Sequence, residues 1–225
     1  MAERINFTTL DGIKIVGTWV PATTVIGAVV LLHQMPDTRI AWSDVQSALA
    51  QRNIASLAID LRGHGESTES TAGETFDYRE FTDADHQTSL LDITAAIDWI
   101  GQRGIDRERM TLAGASIGAN LALQALTGEP RLAGAGLLSP GDYRGINAVA
   151  DMGNLVSGQA VLIVSSEDDK QSFAASQSMF EQAPTDTDKK KFVVYKKAGH
   201  GMHMLQVERG LRDTLADWLA ETIRG

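Results

Sequence analysis

The sequence contains no cysteine among its 225 residues. Disulfide bonds, thiolate metal sites and a cysteine nucleophile are therefore excluded. The chain also lacks an apolar segment long enough for a signal peptide or a membrane span, because its first stretch, "MAERINFTTLDG", turns polar within four residues. These absences lead us to expect a cytoplasmic protein.

Basic residues are fewer than acidic ones, 20 against 29, which gives the chain a net charge of -9. Nucleic acids and anionic membranes both bind to cationic faces, so neither is an expected partner. One basic run is present, "DKKK" at 188–191, and we interpret it as the solvated entry to a strand.

Internal repeats, low-complexity segments and linkers rich in Pro, Gly or Ser are also missing. The composition, 43% hydrophobic and 22% charged, is that of an ordinary globular protein. A chain of this length can bury a substantial core. We therefore predict one domain spanning residues 1–225.

Apolar, β-rich runs recur along the chain and show little polar alternation. Runs of this kind are typical of strands covered on both faces, as in a parallel sheet. They lie at 27–32, 54–60, 109–114, 135–139, 160–164 and 191–195.

Helix-period stripes of apolar residues occupy the segments between and after these runs. The stripes are Trp42, Val45 and Leu49; Leu90, Ile93, Ile97 and Ile100; and Val207, Leu211, Leu215 and Trp218. Alternating strands and helices predict an α/β fold with helices on both faces of a mostly parallel sheet.

The first segment, 4–22, follows a different pattern. Its apolar residues alternate with polar ones, and Asp11-Gly12 stands between its two halves. This pattern predicts an antiparallel hairpin at one edge of the sheet.

Ser116 stands in the string Gly114-Ala115-Ser116-Ile117-Gly118, between a strand run and a helical run. Ligands of open α/β sheets bind beyond the carboxyl ends of the strands, and Ser116 occupies that position. A G-x-S-x-G string between a strand and a helix is the context of a nucleophile elbow. We therefore predict that Ser116 is a nucleophile.

A serine hydroxyl needs a neighbouring base, and His200 is the best of five histidines. It lies in a glycine-flanked loop between the last strand run and the final helical segment. His203 remains an alternative near the start of a helix. We expect His33, His64 and His86 to support loops, with His33 and His64 near the site.

The base needs a carboxylate to orient it. Asp169, which follows the run at 160–164, is the preferred acid, and Asp168 and Asp142 remain alternatives. The resulting chain order of serine, acid and histidine is the one expected of an α/β-hydrolase.

Four stretches of the sequence carry a resemblance that extends over nearly the whole chain. They are "LLHQMP" at 31–36, "DLRGHGES" at 60–67, "GASIGAN" at 114–120 and "AGHGMH" at 198–203. With them the chain resembles the α/β-hydrolase superfamily, in particular its small members of the dienelactone-hydrolase-like and carboxylesterase-like group. Dienelactone hydrolases use a cysteine nucleophile, which this chain lacks. The resemblance implies an α/β-hydrolase fold, and residues 139–160 are too few for a lid domain.

The same resemblance implies an oxyanion hole formed by the backbone N–H groups of Met35 and Ile117. The family often has His-Gly in the first of these loops, whereas Gln34 follows His33 here. Part of a substrate pocket is expected from the long polar connection at 65–87. The predicted pocket residues are Gln34, Phe76, Tyr78, Phe81, Tyr143 and Met202.

These observations predict a serine esterase that cleaves a small-molecule ester of short to medium acyl chain through an acyl-enzyme. No cofactor or metal is expected, because His200 and His203 lack a third ligand of known geometry. Two alternatives keep the fold: a thioesterase, peptidase or acyltransferase using the same triad, or a binding protein without catalysis. The oligomeric state is left open.

Overall fold

A computed structural model describes residues 1–225 of the chain. A central sheet of nine strands runs through it, and a two-stranded sheet lies beside it. The strands are β1 Glu3–Thr8, β2 Ile13–Val20, β3 Gly27–Leu32, β4 Ile54–Ile59, β5 Glu69–Ser70, β6 Met110–Ala115, β7 Gly134–Leu138, β8 Asp142–Tyr143, β9 Ile146–Asn147, β10 Ala160–Ser166 and β11 Lys190–Tyr195.

Eight α-helices connect and cover the strands. They are α1 Ser43–Gln51, α2 Asp83–Gln87, α3 Leu90–Gly101, α4 Ile117–Gly128, α5 Ala148–Met152, α6 Lys170–Gln182, α7 Met202–Val207 and α8 Leu211–Arg224. Short 3-10 helices occupy Arg39–Trp42, Tyr78–Glu80, Arg107–Arg109 and Thr187–Lys189.

The central sheet has the strand order β1-β2-β4-β3-β6-β7-β10-β11, with β5 paired to β2. All pairs from β4 to β11 are parallel, whereas β1, β2 and β4 pair antiparallel. The predicted hairpin at one edge is confirmed, and its turn includes Gly12 with a φ of 85°. The predicted mostly parallel sheet with helices on both faces is confirmed as well.

The core has two layers, one on each face of the sheet. Strands β3, β4, β6 and β7 are buried along their whole length, which explains why their sequences do not alternate. One face packs against α3 and α4 in a cluster of 36 buried residues. The other packs against α1 and α8 in a cluster of 24.

The predicted helical stripe from Val207 to Trp218 is wrong at Val207. Helix α7 ends at Val207, and α8 begins at Leu211 after Gly210. Val207 is 44% exposed because this break turns it away from the face that Leu211 and Leu215 bury.

The connection from β7 to β10 holds only β8, β9 and α5. It adds no separate lid domain to the fold, as predicted. None of the helices has the length and apolar character needed to cross a membrane.

Candidate active site

Ser116 occupies a sharp turn between β6 and α4. Its backbone has a φ of 54° and a ψ of -122°, in a region that residues with side chains rarely adopt. The Ser116 N–H donates to the carbonyl of Leu138 at 2.9 Å, so the turn is fixed to the neighbouring strand β7. The side chain is partly exposed at the carboxyl end of the sheet.

The two glycines around Ser116 allow this turn. A Cβ at Gly114 would lie 2.1 Å from the carbonyl oxygen of Gly118, within the turn itself. A Cβ at Gly118 would lie 2.5 Å from the carbonyl oxygen of Leu32. Glycine therefore permits the first turn of α4 to pack against the end of β3.

The segment that follows β3, residues 33–37, is called the β3 loop here. The backbone N–H of Met35 in this loop makes no hydrogen bond, and neither does that of Ile117 at the start of α4. The first N–H groups of a helix lack partners within the helix, and they are suited to bind negative charge. Ile117 follows Ser116 directly, so one of these unbonded donors lies next to the serine.

His200 and Asp169 are in direct contact. The Nδ1 of His200 lies 2.6 Å from Oδ2 of Asp169, and the two side chains are 39% and 17% exposed. When Nδ1–H donates its hydrogen bond to the carboxylate, the other ring nitrogen, Nε2, carries no proton.

The other two acids that the sequence offered do not reach the imidazole. Asp142 is exposed at the start of β8 and makes no hydrogen bond to His200. Asp168 instead accepts the backbone N–H of Gly199 at 3.2 Å and the hydroxyl of Ser166 at 2.5 Å. The Ser166 hydrogen bond lowers the pKa of Asp168.

No hydrogen bond joins the side chains of Ser116 and His200, whose imidazole is bound to Asp169. A Cβ placed on Gly201 would lie 3.7 Å from Cβ of Ala115, so the chains next to the two residues touch. In unliganded enzymes the hydrogen bond between nucleophile and base is often long, and it tightens when substrate binds.

The histidine loop, residues 196–202, is held by side chains from four separate positions. Four of its backbone N–H groups donate to side-chain oxygens: Ala198 to Ser166 at 2.8 Å, Gly199 to Asp168 at 3.2 Å, Gly201 to Ser139 at 2.8 Å and Met202 to Gln34 at 2.9 Å. Ser139 and Ser166 were not among the site residues predicted from the sequence. Each is a buried polar residue at the end of an apolar strand, and that placement was the available signal.

His33 and His64 lie inside the protein beside this site. The Nε2 of His33 accepts the N–H of Leu61 at 3.1 Å, so its Nδ1 donates to the carbonyl of Gln34. Burial lowers the pKa of both His33 and His64 to about 4. The two rings are 4.9 Å apart, and His64 stacks on Tyr78 at 3.9 Å. Both histidines are therefore neutral packing groups at neutral pH.

His86 lies in α2, is 2% exposed and meets the ring of Phe81 edge to face at 5.4 Å. Its burial lowers its pKa. His203 is exposed on α7 and has no hydrogen bond to Ser116.

Ion pairs build the loop that contains "DLRGHGES". The buried Asp60 accepts the backbone N–H of Arg39 at 2.7 Å and also pairs with its guanidinium. Arg62 donates to the fully buried Asp92 at 2.8 Å. Burial raises the pKa of Asp92 to about 6, and Arg62 opposes that shift. The charged side chains Asp60, Arg62 and Asp92 of this network make no hydrogen bond to Ser116, Asp169 or His200.

The predicted pocket residues separate into two groups. Tyr143 meets the His200 ring edge to face at 5.9 Å, and burial raises its pKa to about 12. Gln34 and Met202 are joined by the hydrogen bond given above. Tyr143 belongs to a hairpin held by Asn120, whose Nδ2 donates to the carbonyls of Gly141 and Ile146. Asn120, a polar residue one turn into the apolar helix α4, was not among the site residues predicted from the sequence.

The aromatic residues of the 65–87 connection form the second group. Tyr78 covers His64, and Phe81 lies against both His86 and the backbone at Gly63. Phe76 packs against the core cluster of the α3 and α4 face. The ring contacts of this group involve buried histidines and not His200.

Two cavities lie at opposite ends of the sheet. A cavity of about 580 Å³ is lined by Asp37 of the β3 loop, by residues of α1 and α7, and by Arg209 and Arg212. A larger one, of about 790 Å³, lies at the opposite end of the sheet beside Lys190 and Trp218. No cluster of three or more His, Asp or Glu side chains has the arrangement of a metal site.

Solved structures share this fold. The chain superposes on the esterase Pf2001 of Pyrococcus furiosus with a TM-score of 0.79 and 17% identity, covering 99% of this chain and 93% of that one. It superposes on a dienelactone hydrolase from Anabaena variabilis with a TM-score of 0.75 and 18% identity, covering 100% and 97%. A soluble variant of monoglyceride lipase from Saccharomyces cerevisiae gives a TM-score of 0.74 at 12% identity, covering 99% and 95%.

Two bacterial proteins are similar in sequence over part of their length. The uncharacterized protein YfhR of Salmonella typhimurium is 32% identical over 132 residues, which are 56% of this chain and 40% of that protein. The uncharacterized protein Rv2715 of Mycobacterium tuberculosis is 32% identical over 105 residues, or 47% of this chain and 26% of that protein. The chain thus matches less than half the length of these relatives.

The sequence also matches a family model described as serine aminopeptidase, S33 (Hydrolase_4), over residues 23–145. This match includes the β3 loop and the turn around Ser116, and it covers more than half of the chain. The fold and its structural neighbours agree with the match. The chain therefore belongs to the serine aminopeptidase S33 family within the α/β-hydrolase superfamily.

Proposed function

We propose that this hydrolase cleaves carboxylic esters of short to medium acyl chain, with Ser116, His200 and Asp169 as its catalytic triad. The observation that carries the proposal is the 2.6 Å contact between Asp169 and His200, on the sheet edge where Ser116 holds its strained turn. Orienting a histidine with a buried or half-buried carboxylate is the arrangement that activates a serine hydroxyl.

In the first half of the reaction, the Ser116 Oγ attacks the ester carbonyl while Nε2 of His200 takes the hydroxyl proton. The carbonyl oxygen becomes an oxyanion, which the N–H groups of Met35 and Ile117 stabilise. Collapse of the tetrahedral intermediate expels the alcohol, which receives its proton from His200. An acyl group is then bound to Ser116.

In the second half, His200 removes a proton from water, and the resulting hydroxide attacks the acyl carbonyl. The same two N–H groups stabilise the second oxyanion. The carboxylic acid leaves, and the proton on His200 returns to Ser116. Asp169 stabilises the imidazolium at each transfer.

The open site supports the preference for short to medium acyl chains. Ser116 is partly exposed, His200 is 39% exposed, and no lid covers them. A long acyl chain would remain largely in water and gain little from apolar burial. Tyr143 and Met202 are the predicted pocket residues that we retain in this proposal, whereas the side chain of Gln34 is bound to the N–H of Met202.

Labelling of the folded protein tests the nucleophile directly. A fluorophosphonate should add its mass at Ser116, and Ser116→Ala should prevent the addition. The same two proteins are then compared on p-nitrophenyl esters of rising chain length. A folded wild-type protein that neither labels nor hydrolyses any of these esters contradicts the proposal.

The family description favours a second candidate, hydrolysis of a peptide bond at an amino terminus. The triad would be the same, but the amine leaving group needs full protonation by His200 as it departs. Aminoacyl p-nitroanilides distinguish the two activities. Higher kcat/KM on these amides than on p-nitrophenyl acetate would favour the peptidase.

A further inference from the structure

The side chain of Gln34 forms the one side-chain hydrogen bond between the β3 loop and the histidine loop. Its Oε1 accepts the backbone N–H of Met202 at 2.9 Å. The other three side-chain acceptors of the histidine loop, Ser139, Ser166 and Asp168, lie at the ends of β7 and β10. Gln34 alone comes from the segment that contains Met35.

The backbone at Gly201 makes room for this contact. Gly201 has a φ of 56°, and a Cβ there would lie 1.9 Å from Oε1 of Gln34. Only glycine allows the glutamine amide to reach the next residue, Met202. The two residues therefore depend on each other sterically: Gln34 uses space that Gly201 leaves empty.

We infer that Gln34 is a positioning residue that couples the proposed oxyanion donor Met35 to the proposed base His200. This inference rests on the proposed function. Gln34 precedes Met35 directly, and its acceptor atom is bound two residues after His200. A shift of either loop would move the other, so the oxyanion donor and the base keep a fixed separation across Ser116.

Such coupling acts on the transition state more than on substrate binding. The oxyanion forms while the base holds a proton, so the N–H of Met35 and the imidazole of His200 must both be correctly positioned in the same transition state. Loss of the coupling should lower kcat and leave KM nearly unchanged.

Two substitutions of Gln34 separate the hydrogen bond from packing. Gln34→Met keeps the length of the side chain but removes the acceptor, and it should lower kcat on p-nitrophenyl acetate by ~10- to 100-fold. KM should stay within about twofold, and the thermal midpoint should stay close to that of the wild type. Gln34→Glu restores an acceptor and should recover most of kcat.

The pH dependence of kcat in Gln34→Glu distinguishes the coupling from an effect of packing. Its carboxylate places a negative charge beside the histidine loop and stabilises the protonated imidazole. The acid limb of the pH–kcat profile should therefore shift to higher pH in Gln34→Glu. In Gln34→Met the limb should stay where it is in the wild type.

A double substitution tests the steric dependence. Gly201→Ala alone should reduce kcat by ~100-fold or more, because its methyl group displaces the Gln34 amide. Gln34→Ala removes that clash, so the double variant should be more active than Gly201→Ala alone. A double variant whose loss equals the product of the two single losses contradicts the coupling.

The outcomes distinguish this inference from the proposed function. An active wild type that labels at Ser116, together with an equally active Gln34→Met, overturns the coupling and leaves the triad intact. A wild type that neither labels nor hydrolyses esters overturns both. A tenfold or greater loss of kcat in Gln34→Met, recovered in Gln34→Glu, supports the coupling.

Discussion

Ser116 and Gly201 have almost the same backbone conformation, with φ and ψ of 54° and -122° at Ser116 and 56° and -125° at Gly201. Each residue directly precedes a helix, α4 or α7, at the carboxyl edge of the sheet. Glycine adopts this conformation without strain, whereas a residue with a Cβ stores about 1–3 kcal/mol there. The serine is thus kept at a position where glycine would be more stable.

This comparison predicts the effect of Ser116→Gly. The change removes the backbone strain and should raise the free energy of unfolding by about 1 kcal/mol, after the greater chain entropy of glycine is counted. Chemical denaturation measures it. Fluorophosphonate labelling and ester hydrolysis should both be lost, the latter by on the order of 10⁴-fold or more.

Ser116→Ala is the matched control, because it removes the hydroxyl but keeps a Cβ in the strained turn. It should lose activity to the same extent without gaining stability. Equal stability of the glycine and alanine variants would mean that the strain in the turn does not exceed the chain-entropy cost of glycine.

The neighbouring acids Asp168 and Asp169 predict different kinetic effects. Asp169→Asn removes the carboxylate that orients His200, and it should lower kcat by ~10⁴-fold with little change in KM. Asp168→Asn keeps an oxygen that can accept the Gly199 N–H, so its loss of kcat should be far smaller. Steady-state kinetics on one p-nitrophenyl ester measures both.

If Asp168→Asn were as damaging as Asp169→Asn, the acid that serves His200 would not be Asp169 alone. Circular dichroism of both variants checks that neither substitution has unfolded the protein around the histidine loop.

The sequence was sufficient to predict the fold because the parallel strands are buried on both faces and lack polar alternation. The runs predicted at 27–32 and 160–164 begin where β3 and β10 begin. The stripe from Val207 to Trp218 was wrong at its start, because periodicity alone does not reveal that the chain breaks at Glu208 and Gly210.

Of the candidate site, the sequence predicted the residues that follow strands, and the structure brings Asp169 to His200 as expected. Their roles in catalysis stay predictions. The support of the histidine loop was not foreseeable, since Ser139 and Gln34 lie far from it along the chain. Such contacts depend on the order of strands in space, which local patterns do not contain.

The buried ion pair between Asp60 and Arg39 predicts a large stability effect. Asp60 is fully buried and accepts three hydrogen bonds, two from Arg39 and one from the N–H of Glu66 at 2.9 Å. Asp60→Asn leaves the Arg39 guanidinium buried beside a neutral amide and should lower the free energy of unfolding by about 3 kcal/mol.

A matched control is the pair of Asp77 and Arg79, whose N–O distance is 2.6 Å and whose side chains are 36% and 74% exposed. Water already solvates both groups, so Asp77→Asn should leave the urea midpoint nearly unchanged. Equal shifts in the two variants would contradict the argument from burial.

His64 predicts how stability depends on pH. Burial lowers its pKa from the ordinary 6.5 to about 4, so between these values the unfolded chain binds the proton more strongly than the folded protein does. Its contribution is fully present above about pH 6.5 and is lost as the pH falls towards 4. Between pH 7 and pH 5 the loss is about 2 kcal/mol.

The variant His64→Phe keeps an aromatic ring against Tyr78 and cannot titrate. Urea unfolding at pH 7 and pH 5 should therefore show a smaller loss of stability in this variant than in the wild type, by about 2 kcal/mol. Asp92, whose raised pKa acts in the opposite direction, is present in both proteins, so its contribution cancels from the difference. The same loss in both proteins would mean that His64 is as accessible to protons in the folded state as in the unfolded chain, and that its burial does not hold it neutral.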